Sequence, residues 1–117
     1  MKTLQEALKT GESIDTEFKS WIKASNMRER ISLAVDELIA FVNCKGGTVY
    51  LGVEDNGEVT GCTGKYDLQS IQEAIYDKTS PHLFTEIEEI EYNGKIVIAI
   101  SVERDGKTYT TADGRCL

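Results

Sequence analysis

The chain has 117 residues, of which 40% are hydrophobic and 8% aromatic, which is typical of one globular domain. This composition excludes a disordered chain, and no apolar run approaches the ~20 residues that a membrane helix needs. The net charge of −7 argues against a simple basic nucleic-acid-binding protein. We expect a single domain over residues 1–117, located in the cytoplasm and belonging to the N-terminal part of a longer protein.

The charge is unevenly distributed along the chain. Residues 1–50 carry seven basic and seven acidic side chains, whereas residues 51–117 carry six and thirteen. A contact with phosphate is therefore expected on the first half of the chain. The three cysteines lack the spacing of a zinc or redox motif, and we expect reduced thiols at Cys44, Cys62 and Cys116.

The N-terminal third predicts a helix followed by a strand. A short apolar pattern from residue 4 indicates a first helix that Gly11 ends. Alternating polarity over residues 13–21 then predicts a half-buried strand. Its inner face is expected to contain Ile14, Thr16 and Phe18, and its polar face Asp15, Glu17 and Lys19.

A longer second helix is predicted to begin after Asn26, with Glu29 at the N3 position of a variant capping box. Apolar residues at helical spacing continue to about Asn43. Gly46 and Gly47 are then expected to end the helix and to turn the chain into the next element.

The second half predicts strands around one helix. Residues 48–55 form a nearly continuous apolar run typical of a central strand, and a turn at residues 55–57 leads into a short strand at residues 58–61. Asp67 is expected to cap a third helix, and Asn93-Gly94 predicts a hairpin between residues 85–92 and 95–103. The order lacks regular βαβ alternation, which favours an α+β fold with a mixed, mostly antiparallel sheet and two or three packed helices. A further strand is expected after residues 113–114.

Three segments follow one another at a defined spacing: Glu12-Ser13-x-x-x-Glu17-Phe18-Lys19, Ala40-Phe41-x-Asn43-x-x-Gly46-Gly47 and Leu51-Gly52-Val53-x-Asp55-x-Gly57. In this combination residues 10–117 resemble the Schlafen-type AlbA-like domain. The resemblance implies a DNA-binding module of bacterial transcriptional regulators that carry further C-terminal domains. It also implies a strand with an Arg-x-Gly signature beyond the last residue.

Under this interpretation the protein contacts the phosphate backbone of nucleic acid and needs no cofactor. We expect one contact surface, formed by the early strand, the glycine turn and the basic residues Lys19, Lys23, Arg28, Arg30 and Lys45. Gly46 and Gly47 either present backbone N–H groups to phosphate or form a plain helix end and turn. A homodimer would double this thin basic surface.

A second interpretation is enzymatic. The positions of Glu12, Glu17 and Asp55 resemble the three carboxylates that support metal-dependent RNA cleavage in eukaryotic Schlafen relatives. Carboxylates suit Mg²⁺ or Mn²⁺, although Asp55 is also an ordinary turn residue. A third interpretation is a dimerisation or protein-interaction platform, which the acidic second half would tolerate.

Overall fold

The computed structural model describes residues 3–114. In chain order the elements are α1 (Leu4–Thr10), β1 (Thr16–Lys19), α2 (Met27–Val42), β2 (Gly47–Leu51), α3 (Leu68–Asp77), β3 (Thr79–Ser80), β4 (Glu86–Tyr92), β5 (Lys95–Val102) and β6 (Thr110–Thr111). The strand expected after residue 114, with Cys116, lies outside the described residues. No helix in the described part of the chain is long and apolar enough to cross a membrane.

Four strands form one mixed sheet in the order β1-β2-β5-β4, and β3 pairs with β6 in a separate two-stranded sheet. β1 runs parallel to β2, whereas the β2–β5 and β5–β4 pairs are antiparallel. Because a parallel pair needs a long crossover, α2 returns the chain from the end of β1 to the start of β2. The predicted α+β fold with a mixed, mostly antiparallel sheet is confirmed.

Helices cover both faces of the four-stranded sheet. α2 and α3 pack on one face against a cluster that includes Val49, Ile98 and Ile100. α1 packs on the other face, where Leu4 and Ala7 belong to a second buried cluster with side chains of β1, β2 and β5. The two central strands are therefore buried on both sides, which explains their nearly continuous apolar sequences.

Local signals in the sequence place the element ends correctly. The Asn26 side chain accepts a hydrogen bond from the Glu29 N–H at 2.9 Å and caps α2. The Glu29 carboxylate accepts from the Ser25 N–H at 2.9 Å, so this capping box closes one residue earlier than the standard form. The hairpin turn has positive φ angles at Asn93 and Gly94, as its sequence predicts.

Two expectations are corrected. Ile14 is 66% exposed and does not lie on the inner face, because β1 begins only at Thr16 and Ile14 belongs to the preceding turn. The short strand expected at residues 58–61 is reduced to an isolated bridge between Val53 and Val59. The bend at Gly52, where φ is +98°, ends regular pairing before that point.

Carboxylate side chains lie at both edges of the four-stranded sheet. At the β1 edge the backbone N–H of Phe18 donates to the Glu12 carboxylate at 3.1 Å instead of to another strand. At the opposite edge, four side chains of β4 are exposed, namely Glu86, Glu88, Glu89 and Glu91. Charged side chains at open edges disfavour the addition of a further strand.

Candidate nucleic-acid interface

The glycine turn after α2 is a site of close packing. A Cβ atom on Gly46 would lie 2.7 Å from the Val102 carbonyl oxygen, and one on Gly47 would lie 2.8 Å from that of Asp15. The Gly46 N–H donates to the Phe41 carbonyl at 2.7 Å, which closes the helix end. These contacts favour the plain helix end and turn over a backbone site for phosphate at Gly46.

Side chains from distant parts of the chain complete this corner. The Asn43 amide donates to the Tyr109 carbonyl at 2.8 Å, and its oxygen accepts from the Tyr109 N–H at 2.8 Å. Arg104 Nη1 donates to the carbonyls of Asn43 and Cys44 at 2.8 and 2.9 Å. Arg104 thus adds a cation beside Lys45 at the C-terminal end of α2, a role that local sequence patterns do not reveal.

Glu12 and Glu17 come together at the β1 edge, where their carboxyl groups are hydrogen-bonded. The pKa of Glu17 is raised from 4.5 to about 8, mainly by burial and then by the Glu12 hydrogen bond and the charges of Glu37 and Glu12, against the opposing Lys19 ammonium. Glu17 therefore carries its proton at neutral pH and can donate it to Glu12.

Lys19 is largely neutralised in this structure. Its Nζ atom lies 3.4 Å from a Glu37 carboxylate oxygen and 3.8 Å from a Glu17 oxygen. Because Glu17 is protonated at neutral pH, Glu37 is the ion-pair partner of Lys19 there. Only 22% of the Lys19 side chain is exposed, so it offers less charge to a phosphate than its sequence position suggests.

Asp55 lies in a different setting, in a cavity of about 390 Å³ that it lines together with Lys23 and Glu54. Glu54 is buried and forms an ion pair with Lys23 at 3.1 Å. Burial alone would raise the pKa of Glu54, but hydrogen bonds from Thr60 and Ser20 and the Lys23 ammonium lower it below its usual range. Within residues 3–114, no three His, Cys, Asp or Glu side chains form a group able to hold a metal ion.

The exposed cations that the sequence analysis singles out lie at the two ends of α2. Lys23, whose side chain is 75% exposed, and Arg28 lie near the N-terminal end, and Lys45 follows the C-terminal end. The 16 residues of α2 separate these ends by ~24 Å. The single contact surface expected from the sequence is thus divided into two groups of cations.

Arg30 and Trp21 serve the packing of the loop before α2. The Arg30 guanidinium lies 4.2 Å from the centre of the Trp21 ring, and its Nε donates to the Trp21 carbonyl at 2.9 Å. Trp21 is 1% exposed, and its indole N–H donates to the Thr63 carbonyl at 3.0 Å. Neither side chain is presented for stacking on a base.

The glutamates of β4 lie apart from the cations at the ends of α2. The glutamates of β4 lie three strand spacings, ~14 Å, from β1, on the far edge of the sheet. α2 and its exposed cations lie toward the β1 and β2 side, because α2 connects those two strands. The β4 glutamates therefore lie away from the ends of α2, whereas Glu54 and Glu29 lie beside its N-terminal end.

Residues 12–117 match the sequence profile described as Schlafen, AlbA_2. The chain belongs to the Schlafen AlbA_2 family. This membership confirms the resemblance that the three sequence segments suggest. No curated protein matches the chain.

Two solved structures share the fold of this AlbA_2 chain. One is the crystal structure of the DIP2311 protein from Corynebacterium diphtheriae, with a TM-score of 0.75 and 17% identity over 94% of this chain. The other is the solution structure of the N-terminal domain of a RecG-related protein from Nitrosomonas europaea, with a TM-score of 0.65 and 20% identity over 96% of this chain and 82% of that one. The AlbA_2 chain spans 23% of the DIP2311 chain.

In this AlbA_2 chain, several residues of the three segments shape the fold. Asn43, Gly46 and Gly47 lock the corner between α2, β1 and β5. Gly52 allows the close approach of the Gly61–Cys62 backbone, which lies 3.1–3.2 Å from the position of its missing Cβ. The Glu12–Glu17 pair differs from these residues, because the packing of the fold does not need two neighbouring carboxyl groups.

Proposed function

We propose that the chain is a nucleic-acid-binding module that contacts the phosphate backbone through the cations at the ends of α2. The separation of these cations from the β4 glutamates carries the proposal, because it gives an anionic chain a side that phosphate can approach. Membership of the AlbA_2 family and the shared fold with the N-terminal domain of a RecG-related protein support a role connected with nucleic acid.

The wider role follows from the same proposal. The module would serve as the DNA-binding part of a transcriptional regulator, joined to C-terminal domains of its own chain and working as a homodimer. Each copy offers few cations, so two copies would approach the number of phosphate contacts found in stable complexes. Contacts of Lys and Arg side chains with phosphate would position the nucleic acid without reading its sequence.

A salt titration tests the contact surface. Binding of a labelled DNA duplex and of a single-stranded RNA is measured by fluorescence anisotropy between 50 and 200 mM salt. Three to four phosphate contacts per copy predict a slope of log K against log salt of about −3 for one copy and about −6 for a homodimer. The double substitution of Lys23 and Arg28 by Ala is expected to reduce the magnitude of that slope by about 2 per copy.

The matched control is Lys95→Ala, which removes an exposed cation beside the acidic strand β4. It should leave the affinity unchanged. Equal losses in the control and the double variant, or no binding to either nucleic acid at 50 mM salt, would refute the proposed surface. A stronger affinity for RNA than for DNA would support the proposed surface and identify RNA, rather than DNA, as its ligand.

A metal-dependent endoribonuclease is the second candidate, and the contact between Glu12 and Glu17 favours it. These two carboxylates would hold a Mg²⁺ or Mn²⁺ ion that supplies charge stabilisation at phosphorus. Asp55 is the third ligand expected from the sequence, and it does not join them in a metal-holding group.

Incubation of the protein with tRNA and Mn²⁺ distinguishes the two candidates. Cleavage that Glu17→Gln abolishes and Glu91→Gln retains would establish the nuclease. A second measurement follows thermal unfolding as Mn²⁺ is added, because a cation bound to the ionised pair would raise the melting temperature of the wild type alone. Absence of both effects would leave the binding module as the function.

A further inference from the structure

An aromatic groove lies beside α3, away from the ends of α2. Its volume is about 350 Å³, and it is lined by Gln69, Gln72, Glu73, Tyr76, Leu83 and Phe84. Phe84 is 77% exposed and Tyr76 is 40% exposed. Single exposed apolar residues are common, but two aromatic side chains on the wall of one groove are typical of a binding surface.

The segment that carries Phe84 is fixed on both sides of this residue. Leu83 and Thr85 are buried, and the Leu83 N–H donates to the Thr79 hydroxyl at 2.8 Å. The Thr85 carbonyl accepts a hydrogen bond from the Gln72 side chain. Phe84 is therefore held outward by its anchored neighbours, and displaying it costs little additional ordering when a partner binds.

Tyr76 is held in a similar way. Its ring stacks on that of His82 with the centroids 4.4 Å apart, and His82 Nδ1 lies 2.7 Å from the Tyr76 carbonyl oxygen. Both aromatic walls of the groove are thus positioned before any partner arrives. Aromatic side chains that become buried when a partner binds often dominate the binding energy at protein interfaces.

The charges around the groove select the kind of partner. Glu73 lines it, Asp77 lies one helical turn further along α3, and Glu86 follows Phe84 by two residues; all three are exposed. A second copy of the chain packed symmetrically on this groove would bring two such acidic rims together. A partner with apolar anchors and flanking Lys or Arg residues meets both the aromatic walls and the acidic rim.

We propose that the Phe84 groove docks a basic amphipathic helical segment of another protein. The groove follows α3 from Gln69 to Tyr76, a rise of ~11 Å that matches about two turns of a docked helix. Its apolar side chains at positions i, i+3 and i+4 would cover Phe84 and Tyr76, as in other helix-in-groove complexes. This surface is separate from the proposed nucleic-acid contacts, and either can fail without the other.

The probe is a labelled 14-residue peptide of Leu and Lys with one apolar helical face, compared with a scrambled peptide of equal composition. Anisotropy at 150 mM salt should show at least tenfold tighter binding of the amphipathic peptide. Phe84→Ser should weaken this binding about tenfold, since it removes the central aromatic anchor. Glu73→Gln should weaken it about twofold, as expected for one exposed charge.

Ile22→Ser is the matched control, because Ile22 is 55% exposed but lies outside the groove. It should not change the peptide affinity, and circular dichroism verifies that each variant is folded. Equal affinity for the two peptides, or an unchanged affinity after Phe84→Ser, would overturn the proposal. A concentration-dependent dimer that Phe84→Ser abolishes would also overturn it, because the occupant would then be a second copy.

Discussion

The protonated Glu17 at the β1 edge makes the stability of the fold depend on pH. The pKa of Glu17 is 4.5 in the unfolded chain and about 8 in the folded protein. Between these values the folded state binds more protons, so the free energy of unfolding decreases as pH rises. The contribution of this group is fully present below pH 4.5 and is lost above pH 8.

The size of the effect follows from the surroundings of the carboxyl group. A pKa displaced from 4.5 to about 8 corresponds to at most ~5 kcal/mol. Since 24% of the side chain stays exposed to solvent, which weakens the effect, we expect about 3–4 kcal/mol. Glu17→Gln keeps a hydrogen-bond donor toward Glu12 at every pH. It should therefore remove the decrease in the free energy of unfolding at high pH.

Urea denaturation at pH 5, 7 and 9 measures the effect. Glu17→Gln should stay within about 1 kcal/mol of the wild type at pH 5 and exceed its free energy of unfolding by about 3–4 kcal/mol at pH 9. Glu91→Gln, on the exposed β4 edge, controls for the loss of one negative charge. If Glu17→Gln is no more stable than the wild type at pH 9, the proposed proton on Glu17 is wrong.

Three further substitutions test the corner and the helix cap, each by urea denaturation. Gly47→Ala should cost about 2–3 kcal/mol, because the new Cβ would lie 2.8 Å from both the Phe41 ring and a backbone oxygen; a loss below 0.5 kcal/mol would contradict this packing. Asn43→Ala should cost about 2 kcal/mol through its two lost bonds to Tyr109, and unchanged stability would rule them out. Asn26→Ala should cost about 1 kcal/mol as a lost helix cap, whereas no loss would show that the cap is dispensable.

The local parts of the fold could be predicted from the sequence because their signals lie within a few residues. The cap at Asn26, the helix end at Gly46 and the turn at Asn93 each follow from backbone chemistry that a single residue type favours. The central position of β2 also follows, since only a strand covered on both faces reads as a continuous apolar run. Family membership was predictable because its three segments occur together at fixed spacing.

The parts that depend on long-range contacts could not be predicted. Arg104 contacts the end of α2 from 60 residues away, and no local pattern marks it. Glu54 was predicted only as part of the apolar run at residues 48–55, whereas the structure buries it with Lys23 as its ion partner. Lys19 was correctly expected to lie on the polar face of its strand, but its partner Glu37 comes from a helix whose orientation only the tertiary structure determines.

The Glu12 carboxylate on the Phe18 N–H and the row of glutamates on β4 have a consequence for how the protein behaves when concentrated. Near neutral pH, neighbouring molecules repel one another at the two places where a β-sheet could grow from one molecule to the next. Replacement of these glutamates by glutamine would remove the charges and weaken both barriers at once. A variant neutralised in this way is therefore the form in which fibrillar self-assembly of this domain should begin.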